Sequence, residues 1–330
     1  MKKFAIIGCG RIAEKHAENI ARIGKLVAVA DLRHERAKAL AGQYKANAYY
    51  SIEDVLTSEK DLDIVVICTP NGFHAEHIIK TLQAGKHVIC ESPMCLTKAA
   101  AWQIIETEKF CRRTLYVVKP ARYTPVLQQL KNIVSNNDLG KLYSFHLNCI
   151  WNRPDSYYTD WHGKLFPDGG TLYTQFTNYI DILLWLFGGV KEVKGFKANM
   201  AHQQSIEFED TGAAALQMEN DMVGSLHWSV NSFQKNHEIA VTLVAEKGTI
   251  KIGGEYLNEL QYCVTETNLK LTPSDNTHNN GPGTSTTNLD RMYNHLSKIL
   301  GNNDNSFTDA FDGLRTVETI EKIYKAVSSN

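Results

Sequence analysis

Between Asp61 and Leu96 the chain reads as strand, turn, helix, strand, turn, and this alternation limits the folds open to it more than any other feature. Ile64 to Ile67 and His87 to Cys90 are short apolar runs rich in β-branched residues, the pattern of strands covered on both faces of a parallel sheet. A proline follows each run, Pro70 and Pro93, and the helix between them closes at Gly85. Two loops therefore leave the same edge of one sheet, where open α/β folds bind their ligands. The first, Thr69-Pro70-Asn71, is expected to floor a cofactor pocket, and the second, Glu91-Ser92-Pro93, to carry chemistry.

The same alternation starts at the N-terminus. Phe4 to Ile7 is a buried strand leading into Gly8-Cys9-Gly10-Arg11-Ile12-Ala13, after which Ile12, Ala13, His16, Ala17, Ile20 and Ile23 trace one helical face. In this GxGxxA pattern Gly8 permits the tight turn, Gly10 lets a pyrophosphate approach the backbone, and Ala13 keeps helix and strand close. The helix N-terminus, at Arg11 and Ile12, faces the phosphates. A second strand, Leu26 to Ala30, ends in Asp31, placed to take both hydroxyls of an adenosine ribose. Its charge would repel a 2′-phosphate, which favours NAD, while Arg33 and Arg36 leave NADP open. The plainer alternative makes Asp31 a helix cap for residues 33 to 42.

Ser51 caps a helix over Glu53 to Leu56, a further helix runs from about Thr97 to Arg112, and a strand covers Leu115 to Val118. The β-α alternation predicts a doubly wound, Rossmann-type parallel sheet ending near Lys119. A chain of 330 residues with 43% hydrophobic content exceeds one ordinary core, so two domains are expected, 1–120 and 121–330. His74 and His77 stand i, i+3 on the helix after Pro70, but no third ligand is near, so polar contacts beside the cofactor are expected there and no metal.

Thirty-five basic residues against 36 acidic ones leave no global field favouring nucleic acid or a membrane surface. Seven cysteines form no CxxC pair, and Cys9, Cys68, Cys90 and Cys149 read as reduced thiols in or beside strands. The apolar run after Met1-Lys2-Lys3 stops at Gly8, too short for a signal sequence, and no long apolar span follows, so a cytoplasmic location is expected.

Past Pro120 the pattern changes to α+β. A helix over Val126 to Val134 ends in the polar turn 136–140, and Lys141 to Ile150 alternates as a half-buried strand. Segments 190–199, 211–218, 222–230, 238–244 and 248–252 read as further strands of one broad, mostly antiparallel sheet. Helices on one face would leave the other for a second copy, which predicts a homo-oligomer, dimer or tetramer. Residues 265–288, rich in Asn, Thr, Ser, Gly and Pro, read as a loop that could act as a lid, and Ile320, Ile323, Tyr324 and Val327 as a closing amphipathic helix.

Between the first two of these strands lie Trp151-Asn152-Arg153, Asp160-Trp161-His162-Gly163-Lys164 and Asp168-Gly169-Gly170, the last opening a helix through Phe187. Aromatic faces pack on sugar rings, and Arg153 or Lys164 could hold a carboxylate or phosphate; each also suits an ordinary surface loop. Thr174, Asn178 and Asp181 fall at helical spacing on one face, the natural one to look toward a nicotinamide.

These residues together resemble the Gfo/Idh/MocA oxidoreductases, named for glucose-fructose oxidoreductase, inositol dehydrogenase and a rhizopine-pathway protein. The likeness runs the length of the chain: the Gly8 to Ala13 motif, Cys68-Thr69-Pro70-Asn71 with His74, Ala84-Gly85-Lys86-His87-Val88 leading to Glu91-x-Pro93, Arg122-Tyr123, and Asp312-Gly313-Leu314-Arg315. Trp161-His162-Gly163 followed by Asp168-Gly169-Gly170 looks most like the branch that oxidises the 3-hydroxyl of UDP-linked amino-sugar uronates. The resemblance implies NAD-dependent oxidation of a hydroxyl on a sugar or nucleotide-sugar. It places Gly8, Gly10, Arg11, Ile12, Asp31, Thr69, Pro70, Asn71, His74 and Glu91 on the cofactor, and Arg122, Arg153, Trp161, Lys164 and Asp181 on the substrate.

Two positions depart from that pattern. The family's loop normally reads Glu-Lys-Pro, its lysine polarising or deprotonating the reacting oxygen; here it is Ser92. The family's helix normally presents an Asp or Asn and, four residues on, a His or Tyr as proton acceptor; here the positions are Thr174 and Asn178. A positioned acid-base group contributes about 10²- to 10⁴-fold, or roughly 3 to 5.5 kcal/mol of barrier. His162, Tyr173, Tyr179 and Lys119 are the candidate substitutes, Tyr179 lying one residue past the acceptor position. Three readings follow: an active oxidoreductase, a catalytically silent paralogue that binds NAD and sugar, and non-redox chemistry with tightly held NAD.

Overall fold

The computed structural model describes residues 1–272, 283–302 and 307–329. The chain divides into two compact units, one of residues 1–119 with 289–317 and one of residues 120–288 with 318–330.

The first unit is a six-stranded sheet built from β1 (Lys3–Ile7), β2 (Lys25–Ala30), β3 (Asn47–Tyr49), β4 (Ile64–Ile67), β5 (His87–Cys90) and β6 (Leu115–Val117). Their order is β3-β2-β1-β4-β5-β6 and every pair is parallel. Ile64 to Ile67 are fully buried, as a run apolar on both faces requires. The connecting helices are α1 (Arg11–Ile23), α2 (His34–Tyr44), α3 (Ile52–Ser58), α4 (His74–Gln83) and α5 (Lys98–Cys111). Ser51 caps α3 through its side chain, which accepts from Asp54 N at 3.1 Å. On α1 the buried stripe is Ala13, His16, Ala17 and Ile20 with Asn19, whereas Ile12 stays exposed at the first turn.

The second unit begins with α6 (Pro125–Ser135) and is built on β7 (Leu142–Ile150). Three short helices follow, α7 (Leu165–Asp168), α8 (Thr171–Thr174) and α9 (Thr177–Phe187). The one helix expected to open at Asp168-Gly169-Gly170 and run through Phe187 is therefore corrected to two, α8 and α9, with α7 ending at Asp168 ahead of them. Gly169 and Gly170 take φ of 95° and 118°, which no helix continues through, and Phe176, at φ −119°, ψ 5°, breaks the backbone again. Thr174 and Asn178 consequently sit on different helices.

The strands β8 (Val190–Ala198), β9 (Thr211–Met218), β10 (Val223–Ser229), β11 (Glu238–Ala245), β12 (Gly248–Gly253), β13 (Glu259–Thr265) and β14 (Val327–Ser329) join β7 in one sheet. Its order is β13-β12-β11-β7-β10-β9-β8-β14, antiparallel except for β10 beside β7 and β14 beside β8. One face buries Phe145, Leu147, Leu226, Trp228, Leu243 and Ile250; Phe145 stacks on Phe187 of α9 at 5.6 Å between centroids.

The last helices are α10 (Gly283–Asn302) and α11 (Ala310–Ala326). Helix begins inside the stretch 265–288 read as a loop, and residues 273–282 of that stretch lie outside the described residues. The closing amphipathic helix ends at Ala326, one residue short of Val327, which instead starts β14.

Candidate active site

In the first unit the Gly-rich turn is fixed by its own backbone. Gly8 has φ +92° and a Cβ there would lie 2.6 Å from Cys68 O, so the residue must be glycine. A Cβ at Gly10, by contrast, would meet nothing within 4 Å. The backbone at Gly10 is thus open to an incoming group, and α1 starts with no side chain capping its amides. These features fit a dinucleotide pyrophosphate. Asp31 closes the other end of the turn: Oδ2 accepts from Cys9 N and Oδ1 from Arg33 N, each at 2.7 Å. The carboxylate joins the turn to the start of α2 while each oxygen keeps a further lone pair, so ribose binding and helix-start capping are compatible roles.

The two loops at the ends of β4 and β5 are tied together. His74, buried, faces Thr69 O through Nε2 at 2.6 Å and Pro93 O through Nδ1 at 2.7 Å. Burial pulls its pKa down while the two carbonyl acceptors and Glu91 push it back up. Thr69 Oγ1 bonds His77 Nδ1 at 3.0 Å, and Asn71 is buried. Pro70 precedes the turn 71–73 that leads into α4. Arg11 and Ile12 are both exposed at the head of α1.

Ser92 does not present its hydroxyl as a free group. Oγ donates to Val118 O at 2.5 Å. Lys119, the next residue, is buried and its ammonium donates to Thr316 Oγ1 at 2.9 Å.

In the second unit Thr174 Oγ1 donates to Asp168 Oδ1, and Gly163 N donates to Asp168 Oδ2 at 2.7 Å. Burial raises the Asp168 carboxyl to about 6 against the bonds from Thr174, Gly163 and Gly170. Asn178 Oδ1 is buried and, among the described residues, has no hydrogen-bond partner. An acceptor left open in this way is one a ligand hydroxyl can satisfy. Tyr179 and Tyr173 are buried in the core, Tyr179 edge-on to Trp151 at 5.7 Å with its phenol pushed far up by burial.

Arg122 and Asp181 bind each other: Nε to Oδ2 at 2.7 Å and Nη2 to Oδ1 at 2.8 Å, with side chains 13% and 2% exposed. Arg153 sits in an aromatic nest, 4.8 Å from the Trp151 ring and 5.2 Å from Tyr157, and donates to Gln175 Oε1 at 2.7 Å. His162 stacks on Trp161 at 3.9 Å and lies 4.3 Å from Tyr157. Lys164 is exposed just ahead of α7. The structure therefore gathers Arg153, Trp161 and His162 around Tyr157. Asp168 was named from the sequence only within the motif Asp168-Gly169-Gly170, without a role, and Tyr157 and Gln175 were not singled out; an acid six residues ahead of Thr174 was the available signal.

Among the described residues no group of three His, Cys, Asp or Glu is close enough to hold a metal ion, and no helix is long and apolar enough to cross a membrane.

Comparison with known proteins adds to this geometry. The family model for the oxidoreductase family with NAD-binding Rossmann fold matches residues 2–118, and that for the GFO/IDH/MocA C-terminal domain matches residues 127–251. The chain is 26% identical over 288 residues to D-glucoside 3-dehydrogenase of Escherichia coli K12, covering 84% of this chain and 80% of that one. It is 28% identical over 213 residues to inositol 2-dehydrogenase of Salmonella typhimurium, covering 62% and 59%. Among solved structures it resembles the WlbA dehydrogenase of Bordetella pertussis, in complex with NADH and UDP-GlcNAcA, with a TM-score of 0.89, 29% identity, and coverage of 98% and 95%.

Proposed function

Because the chain belongs to the Gfo/Idh/MocA family of oxidoreductases, we propose that it oxidises or reduces a hydroxyl-bearing carbon of a sugar or nucleotide-sugar with NAD, and that positions 92 and 178 contribute little proton transfer. The observation that carries the redox reading is the pre-set turn of Gly8, Gly10 and Asp31, whose carboxylate is already oriented by two backbone amides. When bound, the nicotinamide supplies the hydride acceptor or donor. What the chain supplies is orientation: Thr69, Pro70, Asn71 and Glu91 line the two loop ends on which the cofactor rests, and His74 holds those loops at a fixed spacing.

For the substrate, the Trp161–His162 stack offers an aromatic face and the Arg153 guanidinium a charge, the combination that suits a sugar bearing a carboxylate or diphosphate. The relative in complex with UDP-GlcNAcA supports a nucleotide-sugar over a simple sugar. Asn178 can accept a hydrogen bond from a substrate hydroxyl but cannot take its proton near neutrality. Calorimetric titration with NADH and then with UDP-sugars, together with turnover followed at the reduced-nicotinamide absorbance, tests the reading; binding of neither would refute it.

A second reading, a catalytically silent paralogue, is favoured by one observation, the Ser92 hydroxyl bonded to backbone where the family places a lysine. Robust turnover by the wild type ends it.

The second unit's sheet also supports self-association. A row of Val223, Ser144, Val244, Thr249 and Val264 runs across five strands in register on the face opposite the core, without a charge and with Val223 and Val264 more than half exposed. A second copy of this chain is the proposed occupant, and light scattering of the purified protein tests it.

A further inference from the structure

Behind the Glu91-Ser92-Pro93 loop lies a closed hydrogen-bond chain that includes residues given no role so far. His16, fully buried in the second turn of α1, has Nε2 2.7 Å from Glu91 Oε1 and Nδ1 2.6 Å from the Tyr293 hydroxyl on α10. The other Glu91 oxygen accepts from Ser92 N at 3.1 Å. The proton positions follow from what each group can do. An ionised carboxylate only accepts, so in a neutral imidazole Nε2 of His16 carries the proton, and Nδ1 then accepts from the Tyr293 hydroxyl. Burial holds the Tyr293 phenol well above its ordinary range, which keeps that proton in place. His16 is thereby restricted to one tautomer and one ring orientation, and Glu91 to one carboxylate orientation.

The place of Glu91 gives this restriction a use. In the order β3-β2-β1-β4-β5-β6 the Gly-rich turn leaves β1 and Asp31 ends β2, so the adenosine half of a dinucleotide lies over β2. The crossover at β1 and β4 then puts the nicotinamide half over the ends of β4 and β5, and Glu91 directly follows β5. Its side chain is 19% exposed, enough to meet a ligand with one edge while the other is held from behind.

We propose that His16 and Tyr293 are positioning residues, which hold the Glu91 carboxylate for the nicotinamide half of the cofactor. This rests on the NAD-dependent reading above. The pair links the helix that receives the pyrophosphate to the loop that receives the nicotinamide half, so one buried imidazole sets the spacing between two parts of the cofactor site.

The test is an equilibrium NADH titration of the full chain by fluorescence, with wild type, Tyr293→Phe, Glu91→Gln and the double variant. Each single change is expected to weaken NADH binding on the order of tenfold, Tyr293→Phe by releasing the imidazole that orients the carboxylate and Glu91→Gln by removing the charge that it holds. The double variant is expected to be no weaker than the worse single, because both act through one carboxylate. Unchanged NADH affinity in Tyr293→Phe, or losses that multiply in the double variant, would assign the chain of bonds to packing alone and overturn the proposal. Nitrogen-15 NMR of wild-type His16 is a second test independent of any variant: a proton on Nε2, facing Glu91, is expected, and an Nδ1–H tautomer with a bare Nε2 contradicts it. A wild type that binds no NADH overturns the oxidoreductase reading and the positioning role with it, whereas binding with unaltered variants overturns the positioning role alone.

Discussion

The Ser92 hydroxyl donates to the Val118 carbonyl at 2.5 Å, so this side chain is turned onto the backbone that follows the neighbouring strand. Ser92→Ala is expected to cost about 1 kcal/mol of stability, the net worth of one part-buried hydrogen bond, and to leave NADH affinity and any turnover within about twofold. Denaturant unfolding beside an NADH titration checks it. A large loss of turnover would mean that the hydroxyl takes part in the chemistry.

Asp31 holds the Gly-rich turn and the start of α2 at once. Asp31→Ala removes an acceptor from two backbone amides and from the cofactor, so NADH binding is expected to weaken by at least about tenfold. Loss of the negative charge beside Arg33 and Arg36 should at the same time narrow the gap between NADH and NADPH. Parallel titrations with the two nucleotides measure both effects.

The Arg122–Asp181 pair is bidentate and nearly buried. Arg122→Leu takes both bonds from a carboxylate that is 2% exposed, which should cost roughly 3 to 5 kcal/mol in chemical denaturation. The double change Arg122→Leu with Asp181→Leu should recover much of that loss, since no charge is then left behind. A pair acting only on substrate would instead leave stability unchanged and alter the Michaelis constant.

Glu209 is buried with Oε1 accepting from Tyr324 and Trp228, at 2.7 and 3.2 Å, and Oε2 without a partner among the described residues. Burial raises its carboxyl from the ordinary 4.5 to about 7, against the Tyr324 bond. A folded-state value above the unfolded one means that the native state holds the proton longer. This contribution is therefore complete below about pH 4.5 and is lost as pH rises through about 7. The loss is of order 3 kcal/mol, and Glu209→Gln should flatten the decline and be the more stable protein at pH 8. Thermal unfolding from pH 5 to pH 8 reads this directly, and a wild type that gains stability over that range contradicts it.

Much of the first unit was legible because its signals are local. Gly8 and Pro70 each mark a backbone requirement, and the buried run Ile64 to Ile67 announces a covered parallel strand. The break at Phe176 was not legible, since Thr171 to Phe187 has apolar spacing compatible with one helix and no Gly or Pro marks the break. Strand β14 was missed for a similar reason: Val327 suits a helix by spacing and becomes a strand only because β8 offers it an open edge. The His16–Glu91–Tyr293 chain joins residues 75 and 277 positions apart, and no local pattern carries such a link. The side chains at 92, 174 and 178 could be named from the sequence, but that Ser92 and Thr174 turn to Val118 O and Asp168 is visible only in three dimensions.

The central claim is the proposal that a dinucleotide cradle is in place while Ser92 and Asn178, at the positions the family's pattern gives to proton transfer, do not ionise near neutrality. Its most direct test is turnover by Ser92→Lys with Asn178→His against wild type, on UDP-GlcNAcA and related sugars with NAD, with NADH affinity measured on the same samples. The account predicts equal NADH affinity and a rate raised by about 10²- to 10⁴-fold in the double variant. A wild type already as fast as the double variant, with the same NADH affinity, would contradict it.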